Sequence, residues 1–273
     1  MPSRPTFQPL TRFSAEARRA VRVVFTDIDD TLTSEGRLTA RAYGALEALQ
    51  QAGILVVPIT GRPAGWCDHI ARMWPVDAVV GENGAFYFRY DRAARHMTRR
   101  FDQSDALRAT NRDRLMQIKD RILTAVPGAA VASDQAYRET DLAIDFCEDV
   151  PPLPLSAVDR IVQLFEAAGA TAKISSIHVN GWFGSFDKLT MARSLMTEVF
   201  GIDIDRENSA IAFTGDAPND SPMFAFFENS IGVANVADFR DRLAAEPRYV
   251  AKARGGAGFA EAAEALLGAH RPG

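Results

Sequence analysis

An apolar, β-branched run, Val21-Arg22-Val23-Val24-Phe25-Thr26, stops abruptly in Asp27-Ile28-Asp29-Asp30-Thr31. A helical period follows, with Leu38, Ala42, Ala45, Leu46 and Leu49 at three- and four-residue steps until Gly53 ends it. Ile54 to Thr60 is a second near-continuous apolar run, closed by Gly61-Arg62-Pro63. A helix around Ala64 to Trp74 then leads to a third short strand at Ala78-Val79-Val80. Strand, helix, strand, helix, strand predicts βαβ units, and so a parallel sheet with right-handed crossovers. Strands apolar on both faces imply helices covering each side of that sheet.

The same grammar returns late in the chain. Ala210 to Thr214, Ser230 to Ala234 and Tyr249 to Ala251 read as strands, Ser221 to Phe227 as a short helix. Gly255-Gly256 opens a closing helix over Phe259 to Leu267. Between the halves the texture changes. Phe86 to Tyr90 and His96 to Phe101 alternate like a hairpin, and Ser104 to Val126 reads as a long amphipathic helix. Tyr137 to Phe146 and Lys173 to Phe183 read as strands around a helix at Leu155 to Ala168. Mixed polarity on these strands predicts an antiparallel sheet with one open face. The expected fold class is therefore α/β: a doubly wound parallel-sheet core over 1–85 and 186–273, with an α+β cap domain inserted over 86–185.

Composition narrows the function. The chain has 273 residues, 31 basic against 35 acidic, a formal charge of −4. That balance argues against nucleic acid as a partner, because neutralising phosphates takes a concentrated cationic excess. No apolar run approaches the roughly 18 residues of a membrane span. Cys67 and Cys147 lie far apart, in neither disulfide-framework nor zinc spacing, and are expected to be ordinary thiols. The segment from Met1 to Arg22 carries five arginines against Glu16 but lacks a secretory signal's apolar centre. It is expected to be a solvated tail leading into the first strand of a soluble, cytoplasmic protein. No feature selects a monomer over a homodimer.

In an open parallel sheet, ligands bind outside the carboxyl ends of the strands. After the first strand stand Asp27, Asp29, Asp30 and Thr31; after the second, Thr60, Gly61 and Arg62. After the strand at Ala210 come Gly215, Asp216, Asn219 and Asp220, and Lys188 opens the helix Lys188 to Phe200. Four polar clusters from distant segments thus converge on one sheet edge. Carboxylates without His or Cys make a hard oxygen site suited to Mg²⁺. One carboxylate can serve as nucleophile and a second, two residues on, as acid and base. A lysine and a threonine hydroxyl can hold phosphoryl oxygens. Asp30 fits a local turn or cap carboxylate, and Asp187 a solvated group or a brace for the loop before Lys188.

Asp27-x-Asp29-x-Thr31, Thr60, Lys188 and Gly215-Asp216-x-x-Asn219-Asp220 resemble, in order, the four motifs of the haloacid dehalogenase superfamily of phosphohydrolases. Gly81-Glu82-Asn83-Gly84-Ala85, the late inserted domain and Met223 resemble its Cof-type branch, with sucrose-phosphate, trehalose-phosphate and mannosyl-phosphoglycerate phosphatases. The resemblance implies a Rossmann-like core, with Asp27 as nucleophile and Mg²⁺ ligand. It implies Asp29 as general acid/base whose backbone carbonyl also ligates the metal, and Thr31 as a loop support. Thr60 and Lys188 would hold the phosphoryl group, and Asp216 would be the other direct ligand. Asn219 and Asp220 would orient the shell or reach the metal through water. Asp29, where the superfamily's ATPases carry Thr, points to rapid hydrolysis or mutase chemistry.

The expected substrate is a small phosphorylated metabolite, foremost a sugar phosphate; the alternative is a phosphomannomutase-like phosphotransferase. Gly61, Arg62 and Asn83 are candidates on the phosphate side. Specificity is expected from the cap, where Arg138, Glu139 and Asp141 precede His178, Asn180 and Trp182. Alternation puts the last three on one strand face, an arrangement of imidazole, amide and flat aromatic that suits a sugar. His69, His96 and His270 carry no expected function.

Overall fold

The computed structural model describes residues 7–270. Strand β1 (Gln8–Pro9) and helix α1 (Ala15–Ala20), capped by the Ser14 hydroxyl, open the described chain. Phe13 between them is buried and stacks on Tyr249 with ring centroids 4.8 Å apart. From Phe7 onward, then, the stretch expected to be a solvated tail is packed into the fold; residues 1–6 lie outside the described residues. A six-residue helix is too short to show a period, and its anchor is one aromatic.

Strand β2 (Val23–Thr26) leads through a small ribbon, β3 (Thr33–Ser34) and β4 (Arg37–Leu38), into α2 (Ala40–Gln51). Then come β5 (Leu55–Pro58), α3 (Ala64–Met73), β6 (Val79–Gly81), β7 (Phe86–Asp91) and β8 (His96–Phe101). The middle of the chain contributes α4 (Asp105–Ala125), β9 (Ala130–Val131), β10 (Leu142–Asp145), α5 (Leu155–Ala167), β11 (Thr171–Ile174) and β12 (His178–Trp182). The chain closes with α6 (Lys188–Leu195), β13 (Ile211–Gly215), α7 (Ser221–Phe226), β14 (Asn229–Gly232), β15 (Tyr249–Val250) and α8 (Gly255–His270).

The main sheet runs β1-β15-β14-β13-β2-β5, parallel throughout, and a parallel bridge from Ile59 to Val80 adds β6 beside β5. Alternation decides its two faces. Val24, Val56 and Ala212 pack with α2 and α8 residues, whereas Val23, Phe25, Val57 and Phe213 pack with those of α6 and α7. The doubly wound expectation holds. From β2 the chain steps to β5 on one side and later returns to β13 on the other, so the strand order reverses at β2. Crevices form at such reversals, and Asp27 stands at this one.

A second sheet, β11-β12-β10-β9, is antiparallel and packs under α4 and α5. Its strands are shorter than their sequence suggests. Tyr137 to Arg138 is 3₁₀ turn and loop rather than strand, and Lys173 to Phe183 folds back at 175–177 into β11 and β12. The hairpin β7–β8 does not join this sheet. It pairs with β6, and Phe86 and Phe88 are buried in the core's own cluster. We propose that the inserted unit begins near Ser104, after the hairpin, rather than at residue 86. Among the described residues no helix is long and apolar enough to cross a membrane, and both cysteines are free.

Candidate active site

The strand ends deliver their polar residues to one place. The Asp27 amide donates to Thr214 O at 2.9 Å, carrying the parallel ladder one residue past β2 and fixing where its side chain emerges. One carboxylate oxygen each from Asp27, Asp216 and Asp220 lies within 4.8 Å of the others, and all three residues are buried. Lys188, the first residue of α6, sets its Nζ 2.7 Å from Asp27 Oδ1 and 2.6 Å from Asp220 Oδ1. Asp187 caps that helix by accepting from Thr190 N at 2.7 Å, the bracing role its position suggests.

Electrostatics follow from the crowding. Burial pushes the Asp27 carboxyl up to about 8; Lys188 opposes this, while Asp220 and Asp29 add to it. Burial, with Asp27 and Asp220 beside it, holds Asp216 well above the usual carboxylate range. Burial works against the Lys188 ammonium, but Asp220 and Asp27 outweigh it and keep that group protonated more firmly than an ordinary lysine. Carboxyls crowded and buried in this way ionise together only beside a compensating positive charge, and an all-oxygen donor set of this kind fits a hard divalent cation. Asn219 adds to the fit: its Oδ1 is buried without a hydrogen-bond partner.

The remaining core residues hold these groups in place. Thr31 Oγ1 donates to Asp216 Oδ1 at 2.9 Å, the supporting contact its motif position implies, and the residue does not line the cavity. Asp220 Oδ2 accepts from the amides of Asp216 at 3.0 Å and Ala217 at 3.3 Å. Asn235 donates to Asp216 Oδ2 at 2.8 Å and to Asp30 O at 2.9 Å while accepting from Gly255 N at 3.0 Å. Thr60 Oγ1 accepts from Arg62 N at 3.0 Å, and Asn83 N donates to Thr60 O at 3.0 Å. Asp30 has φ +55° and donates its amide to Thr33 Oγ1, so it is a turn residue.

The proposed inserted unit, here termed the cap, lies over this edge. Asp27, Asp29, Gly61, Arg62 and Asn219 of the core face Arg138, Ser175, His178 and Asn180 across a cavity of about 10 Å³. That is room for about one water. Arg62 Nε donates to both Asp29 oxygens, at 2.9 and 3.0 Å, and its terminal nitrogens reach Glu148 at 2.7 Å and Asp134 at 3.4 Å. Contact with His178 at 2.9 Å, and then Arg62, draws the Glu148 carboxyl down to about 2 against the effect of its burial. Arg138 pairs with Asp134 at 2.9 Å and Asp141 at 3.0 Å, and donates to Gly61 O at 2.9 Å. Asn180 Nδ2 donates to Asp141 Oδ2 at 2.9 Å.

All core candidates, and Arg138, His178 and Asn180 from the cap, therefore converge. Two suggestions do not. Glu139 turns away to Arg108, 3.0 Å off, and Trp182 stacks on Phe186 at 5.6 Å inside the core cluster rather than offering a sugar-facing plane. Four residues of the site escape a reading of motifs: Asn235, Asp134, Glu148 and Glu82. The Glu82 carboxyl is fully buried at the core–cap junction, and burial with Asp141 nearby pushes it up to about 7, against Arg138. Only Glu82 had a local signal, since it lies in the quoted Glu-Asn-Gly turn at a strand end.

Residues 24–130 match the family model of haloacid dehalogenase-like hydrolases. No curated protein matches the chain in sequence. Among solved structures, a HAD/COF-like hydrolase of Plasmodium vivax is similar at 16% identity and a TM-score of 0.66, over 93% of this chain and 99% of that one. The sucrose-phosphatase of Synechocystis is similar at 16% identity and a TM-score of 0.62, over 91% and 98%. The C-terminal domain of the C. albicans trehalose-6-phosphate phosphatase is similar at 13% identity and a TM-score of 0.70, over 97% and 99%. Over residues 24–130 the chain is thus similar to haloacid dehalogenase-like hydrolases, and over its whole length it shares the fold of these solved structures.

Proposed function

We propose that this chain is a Mg²⁺-dependent phosphatase of a small phosphorylated metabolite, a sugar monophosphate, working through an aspartyl-phosphate on Asp27. The observation that carries this reading is the trio of Asp27, Asp216 and Asp220 oxygens within 4.8 Å, bridged by Lys188. Asp27 and Asp216 would hold the metal, with Asp220 and Asn219 behind them. When bound, Mg²⁺ offsets the carboxylate charge and draws electron density from the phosphoryl oxygens.

The chain's own residues do the rest. Asp27 Oδ attacks phosphorus, the ester P–O bond breaks, and Asp29 gives its proton to the leaving oxygen. Lys188 and the Thr60 hydroxyl hold the phosphoryl oxygens meanwhile. Asp29 then takes a proton from water, whose oxygen attacks phosphorus; the P–O bond to Asp27 breaks and inorganic phosphate leaves. For Asp29 to hand over its proton, its contact with Arg62 must loosen, and Glu148, 2.7 Å from the same guanidinium, stands ready to take that charge. A cavity of about 10 Å³ cannot admit a sugar phosphate, so substrate entry requires the cap to move.

Two features support a neutral sugar over a second anion as the leaving group. Arg62 and Arg138 are already compensated by Asp29, Asp134, Asp141 and Glu148. Neutral groups with buried polar atoms lacking a hydrogen-bond partner gather there: Ser176 Oγ and Asn219 Oδ1 line the cavity, and Asn83 Nδ2 and Oδ1 lie beside Gly61 at its edge. Such atoms are satisfied by hydroxyls. This speaks against the bisphosphate of a phosphomannomutase-like cycle. The test is phosphate release from a panel of sugar monophosphates, bisphosphates and other phosphorylated metabolites, with Mg²⁺ or EDTA and with Asp27→Asn as control. Metal-dependent release from monophosphates, abolished in the variant, is expected; transfer between phosphosugars without net release would overturn the reading.

A further inference from the structure

Glu82 belongs to the core, in the turn after β6, yet its carboxylate is spent on the cap. Oε1 accepts from Glu139 N at 2.9 Å, and Oε2 from Thr140 N at 2.7 Å, from the Thr140 hydroxyl and from Asp141 N at 3.3 Å. Among the described residues its one donor from the core is Ala64 N, at the start of α3, 3.0 Å from Oε1. The backbone is bent to bring it there: Glu82 has φ +43°, Asn83 +55° and Gly84 +106°, and side-chain-bearing residues seldom adopt two such angles in succession. The residue is completely buried.

What the carboxylate grips is the segment that shapes the substrate side. Residues 139–141 follow Arg138, which donates to Gly61 O at 2.9 Å, and include Asp141, which orients both Arg138 and Asn180. Gly61, Arg138 and Asn180 all line the cavity. A helix cap for α3 would need only the Ala64 contact; four further donors from one cap loop are more than that role explains.

We propose that Glu82 is a positioning residue, the core's latch on the cap loop 138–141, which sets Arg138 and Asn180 over the leaving-group side of the site. The kinetic part of this inference rests on the phosphatase reading; the latch itself does not. In Glu82→Gln one of the two acceptor oxygens becomes an NH2 group facing N–H donors, so the loop loses half of its acceptors while the volume is kept.

Hydrogen–deuterium exchange and kinetics on the full chain test it together. Glu82→Gln is expected to raise exchange at the 139–141 amides by about tenfold or more while β13 keeps wild-type protection. Its kcat/KM for the best sugar monophosphate is expected to fall about tenfold, chiefly through KM, whereas that for acetyl phosphate, with little leaving group to read, stays within about threefold. Unchanged exchange at 139–141, or equal losses on both substrates, would overturn the proposal. Should Glu82→Gln fail to fold, Thr140→Val removes only the hydroxyl contact and is expected to show the same pattern at about threefold; equal losses there would overturn it as well. If wild type releases no phosphate from either compound, the phosphatase reading fails, and the exchange result alone decides the latch.

Discussion

Arg62 and Asp29 meet side-on, the guanidinium Nε reaching both carboxylate oxygens at 2.9 and 3.0 Å, while the far end of the same group lies 2.7 Å from Glu148 in the cap. A planar fork can serve the core and the cap at once; a lysine ammonium, a point charge on a flexible stem, cannot. Arg62→Lys is therefore expected to lower kcat/KM by about 10- to 100-fold, or roughly 1.4–2.8 kcal/mol. Steady-state kinetics on the best substrate check this. Near-wild-type kinetics would show that the fork does not matter.

Asp216 is held by two neutral donors, Thr31 at 2.9 Å and Asn235 at 2.8 Å. Groups that orient a metal's ligands are typically worth about 10- to 100-fold in metal affinity. Thr31→Val and Asn235→Ala should each raise the Mg²⁺ concentration for half-maximal activity within that range. At saturating Mg²⁺, turnover should recover most of its wild-type value. A loss of turnover that no Mg²⁺ concentration restores would contradict the assignment.

The carboxylate cluster also predicts a thermal effect. A cation that binds only the folded chain adds about 2.7 kcal/mol at one hundred times its dissociation constant, a shift of several degrees in Tm for a chain of this size. Mg²⁺ should raise Tm, EDTA should reverse it, and Asp216→Asn should abolish the response. A response that survives in Asp216→Asn would place the ion elsewhere.

Glu148 gives a pH signature. Its carboxyl is drawn from an ordinary 4.5 down to about 2 by His178 and Arg62. A carboxyl lowered on folding stabilises the fold fully above the unfolded value and loses that contribution as pH falls toward the folded one. Between pH 4.5 and about 2, wild type should lose stability more steeply than Glu148→Gln, measured by urea unfolding across that range. Parallel pH profiles would show that the contact is not maintained.

Gly84 lies against the backbone that leads into Lys188. Its φ is +106°, and a Cβ there would meet the carbonyl oxygen of Asp187 at 2.0 Å, beside Lys188 N at 2.8 Å. Gly84→Ala must shift the lead into α6, so activity should fall together with stability, the latter by about 1–3 kcal/mol. Unfolding curves and kinetics on one preparation check the pairing. A variant with wild-type activity would mean that this lead has slack.

Three residues of the candidate site were legible because each follows a strand that the sequence marks by an apolar run: Asp27 after Thr26, Thr60 after Ile59, Asp216 after Gly215. Asn235 was not, since it comes from a 3₁₀ stretch after β14 and meets Asp216 only through the sheet's strand order. Alternation in Phe86–Phe101 reveals a hairpin but not its neighbour, and pairing with β6 is a tertiary choice. Asp134 and Glu148 sit in irregular loops, where no period exists to read. Trp182 lies on the strand face expected of it, but Phe186 covers that end.

The most direct test of the central claim is to find the phosphoryl group on Asp27. The enzyme, mixed with radiolabelled substrate and Mg²⁺ and quenched in acid within a turnover, is reduced with borohydride, which converts an acyl phosphate at aspartate to homoserine. Peptide mass spectrometry should find homoserine at position 27, absent in Asp27→Asn and without substrate. Turnover with no label and no homoserine at that position, or with label on another residue, would contradict Asp27 as nucleophile.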